Sequence, residues 1–207
     1  MNINRFSLFI VPSLLCGHAN VMHAQAEKGE QKKNVLFLIM DDMRTELNCY
    51  GAKYMKTPNM DALASQGVMF ENAYCNVPVS GASRASLFSG LRPGQTRFWD
   101  VNAEIDREAP GTVTLPQYFR ENGYVTISNS KVIHGKNDAK ERSWTEVWMP
   151  EGKSETWRDY LGDENLSVEK QRGGPEPFEC LDVADNAYFD GKTADKTMED
   201  LRRLKKS

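Results

Sequence analysis

The chain has 207 residues, 40% hydrophobic and 27% charged, with a formal net charge of −3. That is enough chain for one domain, or one and a part, with a sizeable core. The near-neutral balance excludes a broad basic field for nucleic acid or an anionic membrane, so any anion site must be local.

Residues 1–26 read as a signal peptide. Arg5 is followed by an apolar run from Phe6 to Cys16, and Ala24 and Ala26 supply small residues at a cleavage site. The run is shorter than the ~20 residues needed to span a bilayer. Export to the periplasm or outside the cell is expected, with no membrane attachment after cleavage. Mature residues 27–207 would keep Cys49, Cys75 and Cys180, an odd number, so at least one thiol stays free or pairs elsewhere.

Asn34 to Met40 is a continuous apolar run, expected as a strand buried on both faces and stopped by Asp41-Asp42. A helix follows over 58–66, with Thr57 or Pro58 at its start and Gly67 at its stop. Val68 to Phe70 reads as a short strand and Ala85 to Ser89 as a helix. Thr114 caps a further helix with Pro116 in its first turn and Gly123 beyond its end. Tyr124 to Ser128 is a strand. Residues 135–180 read as a long irregular excursion. Thr193 to Lys206 is an amphipathic helix with Ala194, Thr197, Met198, Leu201 and Leu204 on its apolar face.

Strands alternating with helices give an α/β fold, a mostly parallel sheet with helices on both faces. No strand follows the last helix, so the sheet is expected to be incomplete in this chain. Ligands of such sheets bind beyond the carboxyl ends of the strands. Asp41-Asp42 falls there, as do Lys131 and His134.

Two adjacent carboxylates suit a hard cation such as calcium, or merely a turn that ends a strand. Ser80-Gly81-Ala82-Ser83-Arg84 offers a hydroxyl and a guanidinium at a helix start, which suits an anion; a capping serine with a surface arginine would look the same. Lys131 can neutralise an anionic oxygen and His134 can move a proton, or both can be structural. Together these groups suit hydrolysis of a charged ester.

"NVLFLIMDD" (34–42), "CYGAKYMKTPNMDALASQGVMFENAYCNVPVSGASRASLFSGLRP" (49–93) and "TLPQYFRENGYVTISNSKVIH" (114–134) resemble the N-terminal part of a type I sulfatase, of the alkaline phosphatase-like superfamily. The last stretch is similar to the iduronate-2-sulfatase branch. The sulfatase signature, Cys or Ser, any residue, Pro or Ala, any residue, Arg, is met by Ser80, Ala82 and Arg84. The resemblance implies that Ser80 is converted to formylglycine, the nucleophile, and that Asp41, Asp42 and Ser80 bind Ca2+. It implies that Arg84 positions the modified side chain, and that Lys131 and His134 contact sulfate. A serine at this position implies an anaerobic sulfatase-maturating enzyme as partner and a sulfated carbohydrate, glycosaminoglycan-like, as substrate. The family's remaining metal ligands, an Asp followed by His or Asn, and further pocket residues would lie beyond this chain. The family's "GKxxH" has Ser130 in place of its glycine. Two other readings stand beside it: a phosphatase or phosphodiesterase of the same superfamily using unmodified Ser80, and a truncated, non-catalytic chain.

Overall fold

A computed structural model describes residues 32–151, 158–169, 171, 174–176 and 178–206. The expected signal peptide lies outside the described residues. The chain divides into two compact units, Met1–Leu38 and Ile39–Ser207.

In the first unit, residues 32–38 form neither helix nor strand. Val35, Leu36, Phe37 and Leu38 are each more than half exposed. The strand expected over 34–40 is not formed. A strand is held by ladder hydrogen bonds to a neighbour, and a doubly buried one needs cover on both faces. An apolar run supplies the hydrophobicity and not the neighbour. The same holds for 68–70, which is also irregular, with Val68 and Phe70 exposed.

The second unit combines helices with a small parallel sheet, the expected α/β class. Its helices are α1 (Pro58–Gln66), α2 (Ser80–Ser89), α3 (Ile105–Glu108), α4 (Leu115–Glu121), α5 (Lys140–Ser143), α6 (Asp163–Val168) and α7 (Phe189–Leu204). Strand β1 (Ile127–Asn129) pairs in parallel with β2 (Glu146–Trp148), in the register Ile127↔Glu146, Ser128↔Val147 and Asn129↔Trp148. Strand β2 lies inside the stretch expected to be irregular. Three residues with a single aliphatic side chain carry no readable period.

Local signals located α1, α2, α4 and α7, while α3, α5 and α6 were not expected. Thr114 Oγ1 accepts from the Gln117 amide, and the Gln117 side chain accepts from the Thr114 amide, a full capping box with Pro116 in the first turn. Helix α2 starts at Ser80, five residues before the expected Ala85. Gly81 lets that start approach its neighbour closely. A Cβ there would meet the Val101 carbonyl oxygen at 2.0 Å, so the helix entry lies directly on the backbone of residue 101. Gly81→Ala should therefore cost about 2 kcal/mol, read as a lower urea midpoint, because backbone cannot give way as a side chain can.

The core lies under α2. Ala82, Ala85 and Phe88 pack with Phe98, Ala103, Ile105 and Ala109, and Val132 and Ile133 pack against this cluster. That apolar pair anchors the loop whose flanking residues are Lys131 and His134.

The far side of the same loop is locked by exchanged caps. Asp138 accepts from the amides of Ile105 and Asp106, each at 2.9 Å. Asp106 in turn accepts from the Ala139 amide at 2.8 Å and from Arg142. Burial raises the Asp106 pKa, but the bonds from Arg142 and the Ala139 amide outweigh it and hold the carboxyl below its ordinary value. A depressed folded pKa stabilises above the unfolded value, near 4, and that contribution is lost as pH falls through the folded one. Asp106→Asn should flatten the fall of Tm below about pH 4 and leave the slope between pH 5 and 7 unchanged.

Helix α7 corrects the expected burial. It forms as an amphipathic helix, yet Met198 and Leu201 are exposed and Asp200 is buried. The face toward β1 carries Thr197 and Asp200, which bind Asn129. An apolar stripe shows what a helix can bury and not what its neighbour offers. Among the described residues, no helix is long and apolar enough to cross a membrane.

Candidate active site

Ser80, the first residue of α2, follows Val79, which has no side chain able to cap the helix. The N-cap therefore makes no side-chain hydrogen bond at the start of α2, which is the positive end of the helix dipole. Ser80 Oγ donates to Asp41 Oδ1 at 2.7 Å and accepts from Arg84 Nε at 3.4 Å. One turn along the helix, Arg84 is buried, 5% exposed, so the surface-arginine alternative falls. Its Nη1 donates to the carbonyls of Lys131 and Val132, both at 2.8 Å, and its Nη2 to Asp41 Oδ1 at 3.2 Å. Lys131 Nζ meets the other Asp41 oxygen at 2.5 Å.

Asp41 is thus the hub of the cluster. Burial raises its pKa, but hydrogen bonds from Lys131, Ser80 and Arg84 overcome that and hold the carboxyl far below the usual carboxylate range. Two cations face one carboxylate, which leaves positive charge at the mouth of α2. His134 completes the rim. Burial first, then the Lys131 charge, lower its pKa, and its Nδ1 is buried with no hydrogen-bond partner. Neutral imidazole is the form favoured near pH 7.

Asp42 is not brought into this cluster. It is exposed, its backbone is left-handed at φ 51°, and among the described residues its carboxylate makes no hydrogen bond or ion pair. Asp41, Asp42 and Ser80 bring hard oxygens suited to calcium, but three are fewer than the about six to eight that calcium takes. Among the described residues no group of three or more His, Cys, Asp or Glu side chains gathers to hold a metal. These residues do not make a calcium cage by themselves.

Ser130 has φ 63°, the left-handed region where a side chain is strained. This explains in backbone terms why glycine suits the position before Lys131. Ser130→Gly should stabilise by about 1 kcal/mol, seen as a rise in Tm of about 3 °C.

A family model for the sulfatases matches residues 33–207. The chain belongs to the sulfatase family. This sulfatase chain is 33% identical to human iduronate 2-sulfatase over 195 residues, 88% of the chain and 34% of that relative. It is 44% identical to mouse iduronate 2-sulfatase over 111 residues, 54% of the chain and 20% of the relative. It is 33% identical to an N-acetylglucosamine-6-O-sulfatase of Bacteroides thetaiotaomicron over 110 residues, 52% of the chain and 19% of the relative. The chain thus spans about a third or less of the length of these relatives.

Of the site residues read from the sequence, Asp41, Ser80, Arg84 and Lys131 meet through hydrogen bonds, and His134 lies within their electrostatic reach. Sequence reasoning missed the supports: Gly81, Asp106, Asp138, Asn129 and Asp200. Only Gly81 carried a signal, as a glycine inside a helix start.

Proposed function

We propose that this chain supplies the nucleophile side of a sulfuric ester hydrolase acting on a sulfated sugar. The observation that carries it is the position of Ser80 Oγ, between Asp41 and Arg84 at the uncapped start of α2. The relatives named for iduronate and N-acetylglucosamine sulfates support a sulfated carbohydrate, glycosaminoglycan-like, as the substrate class. Residues 1–26 would direct the protein to the periplasm or outside the cell.

Ser80 fits conversion to formylglycine. A hydroxyl at this position has an acceptor in Asp41 and a donor in Arg84, and it is partly open to solvent. Formylglycine supplies a carbon bearing two hydroxyls, one to displace the sugar oxygen from sulfur and one whose ionisation lets sulfate go. The chain's own residues do the rest. The amides at the start of α2 and the Lys131 ammonium attract the sulfate oxygens. Arg84 holds the nucleophile's oxygen and, through the 131 and 132 carbonyls, the loop that carries Lys131. Asp41 takes the nucleophile's hydrogen bond and aligns it. Neutral His134 can take or give a proton near neutral pH. Asp41, Asp42 and Ser80 would supply only part of a calcium site.

The test is sulfate release from a chromogenic aryl sulfate by the full open reading frame containing this chain, co-expressed with an anaerobic sulfatase-maturating enzyme. Mass spectrometry follows the Ser80 peptide. Sulfate release that depends on conversion supports the reading. Converted Ser80 with no release on aryl or sugar sulfates overturns it, and phosphate-ester hydrolysis without any maturase would point to the phosphatase alternative.

A further inference from the structure

Lys131 leaves the sheet two residues after β1 ends, so the geometry of Asn129 sets where its side chain begins. Asn129 is held by α7, far along the chain. Its Nδ2 donates to Asp200 Oδ2 at 3.1 Å and to Thr197 Oγ1 at 3.2 Å. Its own Oδ1 is buried without a partner, a cost accepted to aim the amide at α7. Asp200 is 3% exposed, and its second oxygen accepts from Lys196 Nζ at 2.6 Å and Arg203 Nη2 at 3.0 Å. Arg203 also forks onto Glu146, the first residue of β2, at 2.9 and 2.7 Å. One buried carboxylate therefore ties α7 to the end of β1 and, through Arg203, to the start of β2.

A buried ionic cluster contributes little to stability compared with apolar packing, and its best-attested use is to fix register. Here the register concerns the loop after β1. Asn129 precedes Ser130, whose φ of 63° turns the chain so that Lys131 Nζ reaches Asp41 while its carbonyl meets Arg84. Releasing Asn129 would let Ser130 leave the left-handed region and carry Lys131 away from Asp41.

We propose that Asp200 is a positioning residue, acting through Asn129 to place Lys131 and the 130–134 loop against the substrate's sulfate. This rests on the proposed function for the role of Lys131, whereas the mechanical link stands on the contacts alone.

The experiment compares parent, Asp200→Ala, Asp200→Asn and Lys196→Ala in the full open reading frame, by peptide-level hydrogen exchange and by aryl sulfate turnover. Asp200→Ala should raise exchange across 129–134 about tenfold and leave 80–89 and 105–109 as in the parent. Its kcat/KM should fall about tenfold. Asp200→Asn keeps an oxygen for Asn129 but turns an NH2 toward Lys196 and Arg203, so it should recover part of both readouts, and Lys196→Ala, which removes a bond within α7 only, should change neither. If Asp200→Ala does not fold, Asn129→Ala breaks the same link from the strand side. Unchanged exchange at 129–134 overturns the proposal. So does an equal rise over 80–89 and 105–109, or an Asp200→Asn variant as damaged as Asp200→Ala. If the parent releases no sulfate, the functional reading fails, and the exchange pattern still decides the mechanical one.

Discussion

Ser80→Ala should lower sulfate release by about 10^4-fold or more, with Tm within about 1 °C of the parent. The two effects separate because Ser80 does little for the fold. It is the first residue of α2 rather than its cap, which is Val79. Among the described residues its hydroxyl bonds only to Asp41 and Arg84, and both retain other partners: Asp41 keeps Lys131, and Arg84 keeps two carbonyls. Alanine also suits a helix better than serine. On the proposed function the loss would be chemical, removal of the oxygen that would form the bond to sulfur. Sulfate release from an aryl sulfate and a circular dichroism melt check the two halves. A variant keeping more than a tenth of parental turnover would sink the assignment of Ser80.

Arg84→Ala is expected to reduce stability by about 3 kcal/mol, together with loss of activity. The side chain is buried and joins three elements: α2, Asp41 and the loop after β1. Its removal leaves the carbonyls of Lys131 and Val132 without their donor. Each buried group left unpaired costs about 1–3 kcal/mol. Asp41 is more open and adds little, since Lys131 remains on it. A urea midpoint series measures the loss. Arg84→Lys keeps the charge but not the fork, so it should recover a minority of the stability. Parental stability in Arg84→Ala would show that the 131–132 carbonyls find other donors.

The candidate site residues were legible through the motifs that carry the resemblance, and for Ser80 and Arg84 alone also through local spacing. Ser80 and Arg84 sit one helical turn apart, so any helix starting near Ser80 puts them on one face. The capping box at Thr114 and the proline near the start of α1 are likewise signals within a few residues. The strands were less legible: β1 overlaps the strand expected over 124–128, but the others did not follow the pattern. Residues 34–40 have the most strand-like composition of the chain and form no strand, while Glu146–Trp148 forms one with almost no signal. Pairing is a property of two segments, and one segment's hydrophobicity cannot report it.

The sequence by itself pointed to the family through its resemblance, to the α/β class, to the segments of α1, α2, α4 and α7, and to the candidate set Asp41, Asp42, Ser80, Arg84, Lys131 and His134. The helix starts follow from capping and short-range spacing, which act within a turn or two of chain, whereas the family and the roles of the candidate residues are what the resemblance implies. Only the tertiary structure decided that Arg84 is buried, that Asp41 rather than Asp42 is the hub, and that α7 presents Asp200 instead of its apolar stripe to β1. Each of these depends on which distant group arrives opposite, across 43 residues between Asp41 and Arg84 and 71 between Asn129 and Asp200. Desolvation and hydrogen-bond geometry at such meetings are fixed by packing, and no local pattern encodes them.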